Sequence, residues 1–169
     1  MRRTCFTVLC CLFLFLPPAL GFADSTLFGR VSFVYDGDTI EVDRVGRVRL
    51  LGIDAPEGEA SERDVYYQRR FRVQPPLLRA TARQARALVT RYAHNQLVRL
   101  EFDREKKDRY GRFLAYVYLP DGRLLNLVLL EEGLATVFRR ADFRLKKQFF
   151  ATERQARRQQ RGLWRGQGR

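Results

Sequence analysis

From residue 28 to residue 53, β-branched and aromatic side chains alternate with polar ones, the period-two pattern of strands that bury one face. Asp36-Gly37-Asp38 and Val45-Gly46 interrupt the alternation with residues that tolerate the backbone angles of tight turns, so three short strands in a meander are expected. The period changes over residues 77–93, where Leu78, Ala82, Ala85, Val89 and Tyr92 recur at steps of three and four. That spacing predicts an amphipathic helix with arginines on its wet face. Strand patterns return at 97–103 and 112–118, and Pro120-Asp121-Gly122 turns the chain after them. Residues 124–132 predict a short helix stopped by Gly133. Residues 145–161 predict a last one, with Leu145, Phe149 and Ala156 on one side and Gly162 at its end. Between them, residues 57–76 are polar and arginine-rich, close on Gln74-Pro75-Pro76, and are expected to form a long loop.

Strands and helices in this order do not alternate as a parallel α/β sheet requires. They fit an α+β domain: a five-stranded Greek-key OB-like β-barrel with three helices. A chain of 169 residues has room for one such core. No internal repeat or inter-domain linker is evident, and Trp164, Phe149 and Phe150 read as core, the tryptophan pinning the last helix to the barrel.

The start of the chain has a different character. Met1-Arg2-Arg3 precedes an apolar run over residues 6–16, a break at Pro17-Pro18, and small residues at Gly21 and Ala23. This is the layout of a secretory signal peptide, and the run is shorter than the roughly 20 residues a spanning helix needs. The expected division is a signal over 1–23 and one domain over 24–169, exported to the periplasm or medium, with no stable membrane insertion after cleavage. Cys5, Cys10 and Cys11 all fall in the signal, so the exported domain is expected to hold together by packing and any bound metal rather than by disulfides. A monomer is expected.

Charge narrows the partner. The formal net charge is +13 and stays strongly positive without Arg2 and Arg3. Lysine occurs only at Lys106, Lys107, Lys146 and Lys147, so arginine carries most of the excess, and its planar fork matches phosphate oxygens. A polyanion such as nucleic acid is the natural partner.

Candidate chemistry lies at the ends of the expected strands. The chain has no phosphate loop, no HExxH and one histidine, His94, which reads as a helix-end residue. What it does have is Asp36 and Asp38 in one turn, Arg49 in the third strand, and Asp54 and Glu57 just after it. Hard oxygen donors of this kind suit calcium or magnesium, with substrate phosphate and water completing the shell. A phosphodiester repels nucleophiles until its oxygens are neutralised, which a divalent ion and arginines accomplish.

Three ordered blocks carry a resemblance. Val34-Tyr35-Asp36-Gly37-Asp38-Thr39, then Val48-Arg49-Leu50-Leu51-Gly52-Ile53-Asp54-Ala55-Pro56-Glu57, then Asp108-Arg109-Tyr110-Gly111-Arg112-Phe113-Leu114-Ala115-Tyr116-Val117 resemble the signature segments of the staphylococcal nuclease (thermonuclease) family. Residues 126–135 and Gly162-Leu163-Trp164 resemble the family's second helix and closing motif. The resemblance implies a calcium-dependent nuclease that hydrolyses DNA and RNA with little sequence preference and leaves 3′-phosphate ends. It implies that Asp38 and Asp54 ligate Ca2+ through carboxylates and Ala55, where the family often has threonine, through its main-chain carbonyl. By the same resemblance Arg49 and Arg112 grip the scissile phosphate, Glu57 is the general base, and Arg109 and Tyr110 lie beside the nucleotide. Glu59, Glu62 and Asp64 are nearby carboxylates that compete for the base role, and Phe138-Arg139-Arg140 stands where the family often has a stacking tyrosine. The alternative function is a non-catalytic OB-fold module that binds single strands, which would need the arginines but has no evident use for the three carboxylates.

Overall fold

The computed structural model describes residues 26–166; the expected signal over 1–23 lies outside them. Strands β1 (Thr26–Val34), β2 (Thr39–Val42) and β3 (Gly46–Leu50) form the anticipated meander. A two-residue strand, β4 (Ile53–Asp54), follows at once. Helices α1 (Arg63–Phe71) and α2 (Pro75–Ala93) come next, then β5 (Leu97–Lys107) and β6 (Phe113–Tyr118). The chain finishes with α3 (Leu125–Glu131), β7 (Thr136–Val137), α4 (Lys146–Arg158) and a 3-10 turn at Gly162–Trp164.

The barrel closes in the order β1-β2-β3-β6-β5, with β5 returning to β1. All its pairings are antiparallel except β3 with β6, which run parallel with Arg49 opposite Leu114. This is the expected α+β class, with a small β4–β7 ribbon added beside the barrel. The strand alternation is obeyed: Val31, Ile40, Val42, Val48, Leu50, Val98, Leu100, Ala115 and Val117 are buried inside, together with Leu125 and Leu129 from α3 and Ala85 and Val89 from α2. Asn126 is buried among them and fully engaged: its amide donates to the carbonyl of Leu51 (2.9 Å) and its oxygen accepts the Val117 N–H (3.0 Å). It ties α3 to the ends of two strands, satisfying groups that would otherwise be costly to bury.

Residues 57–76 differ from the expectation of a loop. They contain α1, whose Tyr67 and Phe71 are buried although its other positions are mostly polar. Two inward positions four residues apart suffice because a second apolar cluster receives them: Val73, Leu78, Ala156, Leu163 and Trp164. Phe71 meets Trp164 edge to face at 5.5 Å. Trp164 therefore joins α1, α2 and α4 to one another rather than α4 to the barrel. Phe149 is core, in contact with Tyr116 and Phe143, whereas Phe150 is only partly buried.

Candidate active site

The candidate site forms where the β1–β2 turn and the segment after β3 meet under α2. Gly37 makes this approach possible: a β-carbon built there would lie 2.6 Å from that of Ala85 in α2 and 2.8 Å from that of Ala55. Any side chain would push the Asp36–Asp38 turn off the helix and off the Asp54–Ala55 segment. The turn itself is held by the Asp36 carboxylate, which accepts the Asp38 N–H at 2.9 Å.

Asp38 and Asp54 are both buried, only 3% and 2% exposed. Arg49, third from the turn on β3, reaches between them. Its Nη1 donates to Asp38 Oδ1 at 2.5 Å and its Nη2 to Asp54 Oδ1 at 3.0 Å. The second oxygen of Asp38 accepts the Ala55 N–H at 2.9 Å, which orients the Ala55 peptide. The second oxygen of Asp54 accepts hydrogen bonds from Arg63, the first residue of α1, and from Tyr67 OH at 3.2 Å. Tyr67 also donates to the Asp54 carbonyl at 2.9 Å, so α1 braces this carboxylate from beyond the barrel.

Four carboxylates share the site with two guanidinium groups, and their titration reflects the imbalance. Burial, then the charge of Asp38, pushes Asp36 up to about 6. Burial and Asp38 likewise raise Asp54 and Glu57, although Arg63 and Arg49 pull both back. Arg49 is held more firmly protonated: burial opposes its charge, but Asp38 and Asp54 outweigh it. Such a cluster of crowded anionic oxygens is suited to a hard divalent cation. Among the described residues no three acidic, imidazole or thiol side chains form a ready-made cage.

Glu57 is partly buried and electrostatically coupled to Asp38, Asp54, Arg49 and Arg63. Its carbonyl accepts a hydrogen bond from Arg79 of α2, which also pairs with Asp64, so the segment after the site is anchored at both ends. That pairing occupies Asp64, while Glu59 and Glu62 are exposed. Of the competing carboxylates, Glu57 is the one tied to the cluster.

Arg112 has a different setting. The β3–β6 pairing opposes Phe113 to Val48, which brings the 108–112 turn alongside β3. There Arg112 forks onto Asp108, with Nε and Nη2 both 2.7 Å from Oδ2, rather than onto the carboxylates that Arg49 holds. Asp108 also accepts the N–H groups of Tyr110 (2.9 Å) and Arg112 (3.0 Å), so one carboxylate shapes the whole turn. Its pKa is lowered because these hydrogen bonds outweigh burial. Tyr110 is 67% exposed, with Arg109 at hydrogen-bond distance from its hydroxyl (2.6 Å).

Sequence reasoning missed Tyr67, Arg79 and Asp108 as parts of this site, and read Arg63 only as a loop arginine that holds the nucleic-acid backbone or is solvated, where it in fact pairs with Asp54. Asp108 had a visible signal, an Asp four residues ahead of an arginine across a Gly turn. The other three depend on α1 and α2 docking over the site, which no local pattern reports. His94 ends α2, donating its N–H to Thr90, and stands apart from the cluster. Among the described residues no helix is long and apolar enough to cross a membrane.

Comparison with known proteins bears on the whole arrangement. The family description "Staphylococcal nuclease homologue" matches residues 47–166. A thermonuclease of Staphylococcus hyicus is 35% identical over 139 residues, spanning 80% of this chain and 74% of that protein. A thermonuclease of Staphylococcus intermedius is 44% identical over 108 residues, spanning 62% of this chain and 56% of the relative. A micrococcal nuclease of Shigella flexneri is 34% identical over 148 residues, spanning 80% and 72%.

Proposed function

The chain belongs to the staphylococcal nuclease family, and from that premise we propose that it is an exported, calcium-dependent endonuclease that hydrolyses DNA and RNA with little sequence preference. The observation that carries this reading is the Arg49 fork set between the buried carboxylates of Asp38 and Asp54, with Glu57 coupled to the same cluster. A module that only held nucleic acid would gain nothing by burying carboxylates against its own phosphate-binding arginine.

In this reading Asp38, Asp54 and the Ala55 carbonyl hold Ca2+, which when bound supplies positive charge to a phosphate oxygen. Arg49 donates to a non-bridging oxygen of the scissile phosphate. Arg112 releases one of its bonds to Asp108 and donates to another. Both bonds strengthen as negative charge builds on the five-coordinate transition state, so they favour it over the ground state. Arg109 and Tyr110, on the exposed turn, contact the neighbouring nucleotide. Glu57 takes a proton from the attacking water; its raised pKa brings it nearer the working range of a base. Oxygen from water bonds to phosphorus as the bond to the 5′ oxygen breaks and that oxygen takes a proton from solvent, leaving a 3′-phosphate and a 5′-hydroxyl. The sugar 2′ position takes no part, which is why both polymers serve as substrates. The signal-like pattern of residues 1–23 supports an activity outside the cytoplasm.

The test is a digest of plasmid DNA and of RNA by the purified chain with calcium, with magnesium, and with chelator. Both polymers are degraded with calcium and neither with chelator. Degradation unaffected by chelation would overturn the reading.

A further inference from the structure

We propose that the outer face of β1, β2 and β3 is a stacking platform for unpaired bases of the strand flanking the cleaved bond. The proposal rests on the nuclease reading only for the identity of the polymer.

The strand register puts two rows on this face. Arg49 lies opposite Thr39, and the Tyr35 N–H bonds to the Thr39 carbonyl at 3.0 Å, which makes the first row Tyr35, Thr39, Arg49. The second row, two residues farther along each strand, is Phe33, Glu41, Arg47. Residues two apart on a strand share a face, about 6.6–6.8 Å from row to row. The intervening residues Val34, Ile40 and Val48 all point into the barrel and are buried. The row that carries Arg49 is therefore continuous with the second row, and the platform leads straight out of the site.

Its chemistry suits bases. Phe33 is 48% exposed, so its ring is open to a partner. It is propped against Tyr35, ring centroids 4.9 Å apart at 71°, and Arg47 lies over the other ring with its guanidinium carbon 4.2 Å from the Tyr35 centroid. Tyr35 is held in turn by its hydroxyl donating to Glu41 at 2.9 Å, which spends the one acidic group of the face on positioning a ring. Fixed aromatic faces with a guanidinium among them bind bases irrespective of sequence, and the guanidinium can meet a phosphate. A duplex would present only its backbone here, because its bases are enclosed. The occupant is thus a single strand.

The test compares wild type with Phe33→Ala, Phe33→Leu and Phe33→Trp. Fluorescence anisotropy in chelator measures binding of a single-stranded oligonucleotide and of a blunt duplex. Hydrolysis of a dinucleotide with calcium, measured in parallel, checks that each variant is folded. The alanine and leucine variants should bind the single strand at least about fivefold more weakly, the tryptophan variant at least as well as wild type. Duplex binding and dinucleotide hydrolysis should stay unchanged. Undiminished single-strand affinity in Phe33→Ala, an equal loss for the duplex, or loss of self-association in sedimentation would overturn the proposal, the last by marking a protein interface. Failure of wild type to hydrolyse the dinucleotide would instead count against the nuclease reading, leaving the binding comparison intact.

Discussion

Arg63, at the start of α1, makes an ion pair with the Asp54 oxygen that Arg49 leaves open. A cation that uses the same oxygen has to displace it. Replacing Arg63 with glutamine should therefore tighten Ca2+ binding several-fold, read by isothermal titration with calcium alone. Weaker binding in that variant would mean that Arg63 serves chiefly to orient the carboxylate. The metal-free variant should also melt lower, since Asp54 is buried and loses one of its two countercharges.

The roles proposed for Arg49 and Glu57 are separable. Arg49→Ala removes a charged donor to the phosphate and also strands two buried carboxylates, so turnover on DNA should fall about 10²–10³-fold or more, accompanied by a loss of thermal stability. Glu57→Gln keeps the shape and loses only the proposed base, so turnover should fall roughly 10²–10⁴-fold with stability no lower, since burial and Asp38 disfavour the Glu57 charge in the fold. Arg112→Ala should reduce turnover as Arg49→Ala does while sparing the Asp38–Asp54 cluster. Steady-state kinetics beside thermal melts distinguish the three. Normal turnover in Glu57→Gln would move the base role elsewhere.

The barrel was legible because its strands bury one face each, and alternation is a local property. The turn residues Asp36, Gly37 and Gly46 marked where the strands stop, and the helix expected over 77–93 showed its period plainly, starting in the structure two residues earlier at Pro75. Helix α1 was not legible: seven of its nine residues are not buried, and the two that are find their partners in the following helix α2 and, far along the chain, in α4 and Trp164. Ribbon β4–β7 was invisible for a similar reason, since two-residue strands carry no period. In the candidate site, Asp38, Arg49, Asp54 and Glu57 sit within 20 residues of one another, and their order marked them as candidates. The bracing by Tyr67, Arg63 and Arg79 arises only from tertiary docking.

The far side of the barrel predicts an acid sensitivity. Asp103 accepts the Tyr116 hydroxyl at 2.8 Å and the Arg144 N–H at 2.7 Å, and these bonds outweigh burial to hold its pKa below the ordinary 3.8. A carboxylate depressed in the folded state contributes stability above its unfolded pKa, and that contribution is lost as pH falls through the folded value. The melting temperature of wild type should therefore drop more steeply below about pH 4 than that of Asp103→Asn. Parallel curves for the two proteins would show that the carboxylate charge contributes nothing there.

Glu153 connects the second apolar cluster to the site. Nearly inaccessible on α4, it accepts the Val137 N–H at 2.9 Å, pairs with Arg139, and lies 3.5 Å from Arg157. Val137 belongs to β7, which holds Asp54 opposite Thr136. Changing Glu153 to alanine would leave two guanidinium groups close together without their shared counter-ion and a buried N–H without an acceptor. The expected cost is about 1–3 kcal/mol, set by the buried N–H left without an acceptor because both arginine side chains keep access to water, and seen as a lower denaturant midpoint. Glu153→Gln retains an acceptor for Val137 and should lose less, so the difference between the two variants isolates the backbone bond from the ion pairs. Because β7 supports Asp54 from behind, the alanine variant should also bind Ca2+ more weakly at temperatures where it remains folded. Equal midpoints for alanine and wild type would show that β7 is held by its pairing with β4 alone.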